Sequence, residues 1–167
     1  MSSSEHKARA PTSVACFVLT VSDTRTEAND TGGQAIRELL ERAGHSISGH
    51  AIVKDEAAQV AGAVRERLAD STTQVIITTG GTGISARDTT FEAITGLFDK
   101  RLDGFGELFR MISYNEIGSA AMMSRATAGT VGRKAIFVLP GSPAAVRLAM
   151  EKLIVPELGH IIQQLRK

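Results

Sequence analysis

Almost wholly apolar runs of strand length recur along this chain, and segments with a helical spacing of apolar residues lie between them. The runs at residues 14–21, 73–79 and 135–140 are rich in β-branched residues, which is typical of strands buried on both faces of a parallel sheet. Residues 45–55 alternate between apolar and polar positions and therefore predict a strand nearer the edge of the same sheet. A short strand and a turn are expected at residues 124–134.

Helices are predicted in the intervening segments, because each carries an apolar stripe. They cover residues 34–43, 56–69, 92–98 and 105–116, and two closing helices begin at Pro143 and Pro156, in whose first turn proline is favoured. Gly44 is expected to stop the first helix. The alternation predicts an α/β fold, a three-layer domain with a mostly parallel central sheet flanked by helices. We expect one such domain over residues 13–167, after a flexible polar tail over residues 1–12.

Composition narrows the possible functions. The formal net charge is +1 and the chain has one Tyr and no Trp, so nothing favours a general nucleic-acid or membrane-surface binder. Cys16 is the only cysteine and lies in an apolar run, which predicts a buried structural thiol and excludes a disulfide scaffold within one chain. No apolar run approaches the ~18 residues of a membrane span, and residues 1–12 lack the apolar core of a secretory signal. We therefore expect a cytoplasmic protein.

Three predicted strands end in small or polar residues, in "LTVSDTR", "ITTGGTGISARD" and "FVLPGSPAAV". Open parallel sheets bind ligands outside the carboxyl ends of their strands, so these exits predict a composite pocket. Gly80, Gly81 and Gly83 allow close backbone approach to an anion, which favours phosphate binding over a plain tight turn. Ser142 and Pro143 predict a capped helix start, whose free N–H groups could also face a phosphate.

Two carboxylates follow strands at the same predicted edge. Asp55 comes after the second strand and Asp88 after the glycine loop. Each aspartate alone is better explained as a helix cap. Together, beside phosphate-binding loops, they fit Mg²⁺, which prefers one or two carboxylates plus phosphate oxygens.

Other kinds of chemistry have weaker support. The four histidines are scattered along the chain, which indicates neither a zinc site nor a histidine-based triad. Residues 81–86, "GTGISA", match the dinucleotide fingerprint, and Asp103 follows at a suitable distance, so a nicotinamide enzyme is an alternative. However, no long helix is predicted directly after this match. Phosphoryl or nucleotidyl transfer fits best, because it relies on positioning and charge neutralisation rather than on a protein nucleophile.

Several ordered motifs resemble the MoaB/MogA family of molybdenum-cofactor biosynthesis proteins, whose domain also occurs in gephyrin. They are "LTVSDTR", "NDTGG", "AIVKDE", "VIITTGGTGISARDTTFEAI", "GFGELFRMISYNEIGSAAMMSRATAG" and "FVLPGSPAAV", all within residues 13–165. The segment "FGELFRMISYNEIG" is closer to the MoaB branch. The resemblance implies a homotrimer or hexamer with molybdopterin adenylyltransferase activity, a nucleotidyl transfer from ATP to molybdopterin that needs Mg²⁺ and releases pyrophosphate. Other proteins of the pathway are further candidate partners.

The resemblance also implies roles for single residues. Asp55 and Asp88 match the family's essential aspartates and would be catalytic residues and magnesium ligands. The nucleotide and its phosphates would be held by Gly80, Gly81, Thr82, Gly83, Pro140, Gly141 and Ser142. Molybdopterin would be bound by Ser22, Asp23, Ser113, Ser124 and Arg125.

One position departs from the family pattern. The family commonly has proline in "RD-x-T-P-E", and this chain has Phe91 there, which removes a rigid helix-start residue but keeps Asp88 and Thr90. An alternative within the family is a non-catalytic molybdopterin-binding or scaffold protein of the same pathway. Both aspartates are present, which favours an active enzyme.

Overall fold

A six-stranded sheet forms the middle layer of the computed structural model, which describes residues 2–8 and 10–167 without the side chain of His6. Its strands are β1 (Ala15–Val21), β2 (Ser46–Val53), β3 (Val75–Thr79), β4 (Lys100–Arg101), β5 (Thr127–Val131) and β6 (Lys134–Leu139). Their order across the sheet is β2-β1-β3-β6-β5-β4. The first four in this order are parallel, and β5 runs antiparallel to both β6 and β4.

Helices cover both faces of this sheet. They are α1 (Ser3–Ala8), α2 (Thr31–Arg42), α3 (Ala57–Ala69), α4 (Thr90–Thr95), α5 (Asp103–Ile117), α6 (Pro143–Ala149) and α7 (Val155–Leu165). A 3₁₀ helix, Gly118–Met123, follows α5, and a π turn, Met150–Ile154, joins α6 to α7. No helix within residues 2–8 and 10–167 is both long and apolar enough to cross a membrane.

Successive side chains of β1 point to opposite faces of the sheet and so belong to two separate halves of the core. Cys16 and Val18 lie in the half that is packed by α2, α5, α6 and α7, whereas Phe17 and Leu19 lie in the half packed by α3 and α4. Successive side chains of a strand point to opposite faces, so helices on both sides bury the whole strand. The predicted three-layer α/β fold is thus confirmed. Burial raises the pKa of the Cys16 thiol to about 12, which makes it unreactive at neutral pH.

The order of strands also agrees with the pattern of apolar residues. β2, which alternates and is only partly buried, is the edge strand and runs parallel to β1. The segments that follow β1, β2, β3 and β6 therefore leave the sheet at one edge. Gly44 has φ +87° directly after the C-cap of α2 and stops that helix, as predicted.

One strand of the sheet, β4, was not predicted from the sequence. β4 is only two residues long and exposed, and it joins the sheet through backbone pairing with β5, so it has no apolar signature. The prediction of a closing helix with Pro156 in its first turn is confirmed, because α7 begins at Val155. Ile154 and Val155 keep helical dihedral angles, so the π turn joins α6 to α7 without a break. Proline has no N–H to donate, and the π turn before it, closed by Val155 N donating to Met150 O, shifts the hydrogen-bond ladder there.

The predicted tail contains a helix in the structure. Lys7 of α1 forms an ion pair with Glu157 of α7, and a Cβ on Gly159 would clash with the carbonyl oxygen of Pro11. Residues 10–11 therefore lie against α7, where glycine permits the close approach. The predicted flexibility of residues 1–12 stays a prediction.

Candidate functional site

A cleft of about 430 Å³ lies at the carboxyl ends of β3 and β6, beside α5. One wall is the glycine loop, residues 80–83, another is the turn at residues 140–142, and the third is the C-terminal half of α5 with the segment after it. Ten predicted site residues line it: Gly80, Gly81, Thr82, Gly83, Asp88, Ser113, Ser124, Pro140, Gly141 and Ser142. Two of the three strand exits singled out in the sequence, those of β3 and β6, thus form this cleft, because they leave the sheet at the same edge. The exit of β1 does not line it, and residues of all three exits instead line a second cleft.

The glycine loop is packed tightly against its surroundings. Gly80 has φ +99°, and a Cβ there would clash with the carbonyl oxygen of Val21 at the end of β1. Gly81 has φ +69°, and a Cβ there would clash with the hydroxyl of Thr90 and lie 2.7 Å from Oδ2 of Asp55. Backbone geometry alone therefore requires glycine at these two positions. The same absence of side chains leaves the cleft face of the loop open to an anion.

Asp55 is buried beneath the glycine loop and does not line the cleft. Its Oδ1 accepts hydrogen bonds from the backbone N of Thr89 at 3.2 Å and from the Thr89 hydroxyl at 2.9 Å. Its own N donates to Oδ1 of Asp23 at 3.1 Å. Because the N-cap of α3 is Glu56, without a side-chain capping bond, the interpretation of Asp55 as a cap of α3 was wrong.

Asp88 lines the cleft and closes a turn of its own loop. Its Oδ2 accepts hydrogen bonds from the hydroxyl of Ser85 at 2.6 Å and from the Ser85 N at 3.0 Å. The Ser85 hydroxyl chiefly holds the pKa of Asp88 below its usual range, with smaller contributions from the amides of Ser85 and Gly83 and the charge of Arg125. The N-cap of α4 is Thr89, so Asp88 does not cap that helix either. Its carboxylate is ionised at neutral pH.

The two aspartates suit Mg²⁺ only together with oxygen atoms of a ligand. No group of three or more His, Cys, Asp or Glu side chains that could hold a metal ion occurs in the described part of the chain. Oδ2 of Asp55 and Oδ1 of Asp88 receive no hydrogen bond from any described residue. One oxygen of each carboxylate thus accepts no hydrogen bond within the described part of the chain, that of Asp55 close to Gly81 and that of Asp88 close to Gly83. Mg²⁺ accepts this ligand set when phosphate oxygens and waters complete it.

The turn after β6 is a capped helix start, as predicted. Ser142 is the N-cap of α6 and its hydroxyl accepts from the N of Ala145, while Pro143 occupies the first turn. The Ser142 hydroxyl therefore already accepts a hydrogen bond from the first turn of α6. Backbone groups of Gly141 and Ser142 remain on the surface of the cleft.

The five residues predicted to bind molybdopterin do not share one cleft. Ser113 and Ser124 line the main cleft, but Ser22 lines a second cleft of about 430 Å³ on the other side of Gly80. Asp23 is paired with Arg87, whose Nε donates to Oδ2 at 2.7 Å. The fifth residue, Arg125, lines neither of these clefts; it donates to carbonyl oxygens of the glycine loop and lines another cleft of about 490 Å³ that it shares with Asp88.

Two residues that hold the aspartates were missed in the sequence. The Ser85 contact could have been found, because Ser-x-x-Asp has the spacing of a capping box, in which the acidic side chain accepts from the backbone N of the serine. Nothing in the local sequence indicates the contact between Thr89 and Asp55, because the two residues are 34 positions apart in the chain.

The dinucleotide fingerprint at residues 81–86 lacks its structural context. The fingerprint places the last of its small residues inside a helix that starts at the loop. Here α4 begins only at Thr90 and has 6 residues. The structure therefore does not support a nicotinamide enzyme.

The model of the family described as "Probable molybdopterin binding domain" matches residues 17–160 of this chain. Molybdenum cofactor biosynthesis protein B of Bacillus subtilis is 54% identical over 168 residues, which cover 100% of this chain and 99% of that protein. The Staphylococcus carnosus protein of the same name is 50% identical and is covered over its full length.

Solved structures give the same result for the fold. A crystal structure of molybdenum cofactor biosynthesis protein B has a TM-score of 0.92 at 54% identity, covering 95% of this chain and 99% of that one. The tungsten cofactor synthesizing protein MoaB from Pyrococcus furiosus has a TM-score of 0.86 at 41% identity, with 95% and 100% covered. A MogA structure has a TM-score of 0.81 at 31% identity, with 90% and 99% covered. The chain therefore belongs to the MoaB/MogA family of molybdenum cofactor biosynthesis proteins, in its MoaB branch.

Proposed function

We propose that this protein is a molybdopterin adenylyltransferase that uses ATP and Mg²⁺. The observation that carries this proposal is the main cleft, which an ionised aspartate, Asp88, lines together with a glycine loop and two serines. An isolated carboxylate would repel phosphates, so its position beside a phosphate-binding backbone implies a cation between them.

The proposed reaction joins two phosphate groups. The terminal phosphate oxygen of molybdopterin attacks the α-phosphorus of ATP, the bond from this phosphorus to the bridging oxygen breaks, and pyrophosphate leaves. Mg²⁺, when bound, would neutralise phosphate charge, with Asp88 and Asp55 as its protein ligands. The protein then needs no covalent nucleophile, because holding two phosphates in line provides most of the rate enhancement.

Each wall of the cleft has a proposed role. The backbone of Gly80–Gly83 and the turn at Gly141 and Ser142 would hold the nucleotide phosphates, since neither presents a side chain that blocks close approach. Ser113 and Ser124 would donate to polar atoms of molybdopterin. The apolar wall suits a planar ring and consists of Phe109, Ala144, Ala145 and Leu148.

A non-catalytic molybdopterin carrier is the second candidate. One observation favours it: Asp55 is buried below the loop and outside the cleft, so only one of the two aspartates faces a ligand there. A carrier would bind molybdopterin without using ATP.

We also propose that the protein forms a homotrimer, with a hexamer as the alternative outcome. Leu108, Met111, Tyr114 and Ile117 recur every three residues along α5 and are exposed, and Met122 follows with 81% of its surface exposed. Exposed large apolar side chains concentrated in one segment, here called the exposed strip, mark an interaction surface. Copies of the chain that cover this strip would also close the side of the cleft lined by Ile117.

Purified protein with molybdopterin, ATP and Mg²⁺ tests the proposal through pyrophosphate release. Release that depends on all three additions supports the transferase, and its loss in Asp88→Asn ties the activity to the cleft. Tight molybdopterin binding without pyrophosphate release, in protein that is fully folded, would establish the carrier instead.

A further inference from the structure

Arg125 holds the glycine loop through its carbonyl oxygens and does not line the main cleft. Its Nε donates to the carbonyl oxygens of Thr82 at 3.3 Å and Gly83 at 3.0 Å, and a terminal nitrogen donates to the carbonyl oxygen of Asp88 at 3.3 Å. The other terminal nitrogen forms an ion pair with Glu92. One guanidinium thus ties both ends of the segment 82–88 to α4. The planar fork of arginine can make several such bonds at once, which an ammonium cannot.

Phe91 fixes the guanidinium in this position. The ring of Phe91 lies under Arg125, with 5.1 Å between the guanidinium carbon and the ring centroid, and Arg101 lies over the same ring at 5.6 Å. Cations at this distance from a ring face are attracted to it. Phe91 stands where the family motif commonly has proline, so this chain replaces a rigid helix start with a ring that packs on Arg125.

The carbonyl bonds also orient the loop amides. In a planar trans peptide the C=O and the following N–H point in opposite directions. Carbonyls of Thr82 and Gly83 that face Arg125 therefore direct the N–H groups of Gly83 and Ile84 away from it. The carboxylate of Asp88 packs closely on Gly83, since a Cβ there would lie 2.6 Å from its Oδ2.

We propose that Arg125, supported by Phe91, is a positioning residue that sets the glycine loop and Asp88 for an anionic ligand rather than a residue that contacts molybdopterin. That the ligand is a nucleotide rests on the proposed function. The orientation of the loop does not depend on it, because all the contacts are made by the chain alone.

Amide hydrogen exchange of the ligand-free protein tests the positioning role directly. Arg125→Lys keeps the charge beside Glu92 but loses the fork, so the amides of residues 82–88 should exchange about tenfold faster, as expected for lost bonds to a charged group. Arg101→Lys is the matched control, because Arg101 lies on the same ring but makes no hydrogen bond to the loop among the described contacts. Wild-type exchange in Arg125→Lys, or equal loosening in Arg101→Lys, would overturn the proposal.

Variants of Phe91 test whether its ring supports Arg125. Phe91→Leu should raise exchange in the same segment about threefold, and Phe91→Tyr, which keeps the ring face, should restore the wild-type rate. If Phe91→Leu leaves the exchange of the segment unchanged, the ring does not support Arg125.

Binding measurements separate this proposal from the proposed function. By calorimetry, Arg125→Lys should weaken binding of ATP with Mg²⁺ about tenfold and leave the molybdopterin Kd unchanged. A weakened molybdopterin Kd with unchanged loop exchange would make Arg125 a direct contact and overturn the positioning role. Absence of ATP binding in the wild type would remove the proposed function, while the exchange data would still decide the role of Arg125.

Discussion

Thr89 holds the carboxylate of Asp55 with two hydrogen bonds, one from its backbone N at 3.2 Å and one from its hydroxyl at 2.9 Å. The two residues are 34 positions apart, so this contact fastens the loop after β2 to the start of α4. Asp55 is buried, and the loss of a hydrogen bond to a buried charge is costly. The aspartate below the glycine loop therefore has a structural role in addition to any role in catalysis.

Thr89→Val should lower the free energy of unfolding by about 1–3 kcal/mol, because Asp55 then loses its hydroxyl donor and keeps the backbone donor. Urea unfolding measures the change. Thr89→Ser keeps the hydroxyl and should remain within about 0.5 kcal/mol of the wild type. Equal stability of the valine and serine variants would contradict the importance of this bond.

Asp88→Asn should abolish pyrophosphate release with little loss of stability, by about 1 kcal/mol or less, since Asp88 is only partly buried and bonded within its own turn. The control is Ser85→Ala, which removes the hydroxyl donor but keeps the carboxylate, and it should retain measurable turnover. Pyrophosphate release at the wild-type rate in Asp88→Asn would exclude a role for this charge. Thermal unfolding of each variant shows whether a lost activity reflects a lost fold.

The same turn predicts a pH dependence. The pKa of folded Asp88 lies below the ordinary value of 3.8, chiefly because the carboxylate accepts from the Ser85 hydroxyl. A lowered folded-state pKa means that the stabilising contribution is present above the unfolded-state pKa and is lost as the pH falls through the folded-state pKa. Ser85→Ala should therefore raise the Asp88 pKa toward its ordinary value. An NMR titration of the Asp88 carboxyl carbon measures both values, and identical titrations would refute the assigned cause.

Much of this fold follows from the spacing of apolar residues. The runs that became β1, β3 and β6 are apolar at every core position because helices cover both of their faces, and β2 alternates because it lies at the edge. By contrast, β4 is two exposed residues that pair only through the backbone, so no side-chain pattern could reveal it. The helix that starts around Pro156 was predicted, but the π turn that joins it to α6 was not, because such a turn depends on packing and not on local sequence.

Part of the candidate site could likewise be predicted from the sequence. The glycine loop, Asp88 and the start of α6 were found because turn residues follow apolar strands at one edge of a parallel sheet. The burial of Asp55 and the contacts of Arg125 were not, because both depend on residues more than 30 positions away. Phe91 illustrates the limit: the sequence shows the absence of a proline, and only the structure shows the ring between two arginines.

Two buried threonines allow the cost of an unsatisfied hydroxyl to be measured. The hydroxyls of Thr78 and Thr90 are both buried without a hydrogen-bond partner among the described residues. Valine has the same shape without the hydroxyl, so Thr78→Val should stabilise the protein by about 1 kcal/mol by removing an unsatisfied polar group. Thr90 is equally buried and packs against Gly81, so Thr90→Val should stabilise the protein by a similar amount. Urea unfolding measures both changes, and a loss of stability in either variant would contradict the assignment of its hydroxyl as unsatisfied.

The exposed strip on α5 is the surface through which copies of the chain are proposed to assemble. Met111 lies in the middle of this strip with 58% of its surface exposed, and a charge placed there would be buried without a partner in any assembly that covers the strip. Met111→Glu should therefore convert the proposed trimer to monomers, as measured by light scattering after size-exclusion chromatography. Ala58→Glu, which adds the same charge to an exposed position of α3 on the other side of the sheet, should leave the mass unchanged.

A trimer that survives Met111→Glu would place the interface elsewhere on the molecule. The same samples report on the cleft, because Ile117 belongs both to the strip and to the cleft wall. If assembly closes that wall, monomeric Met111→Glu should bind molybdopterin more weakly than the wild type while its unfolding temperature stays close to that of Ala58→Glu. Unchanged molybdopterin affinity in the monomer would show that each protomer carries a complete site.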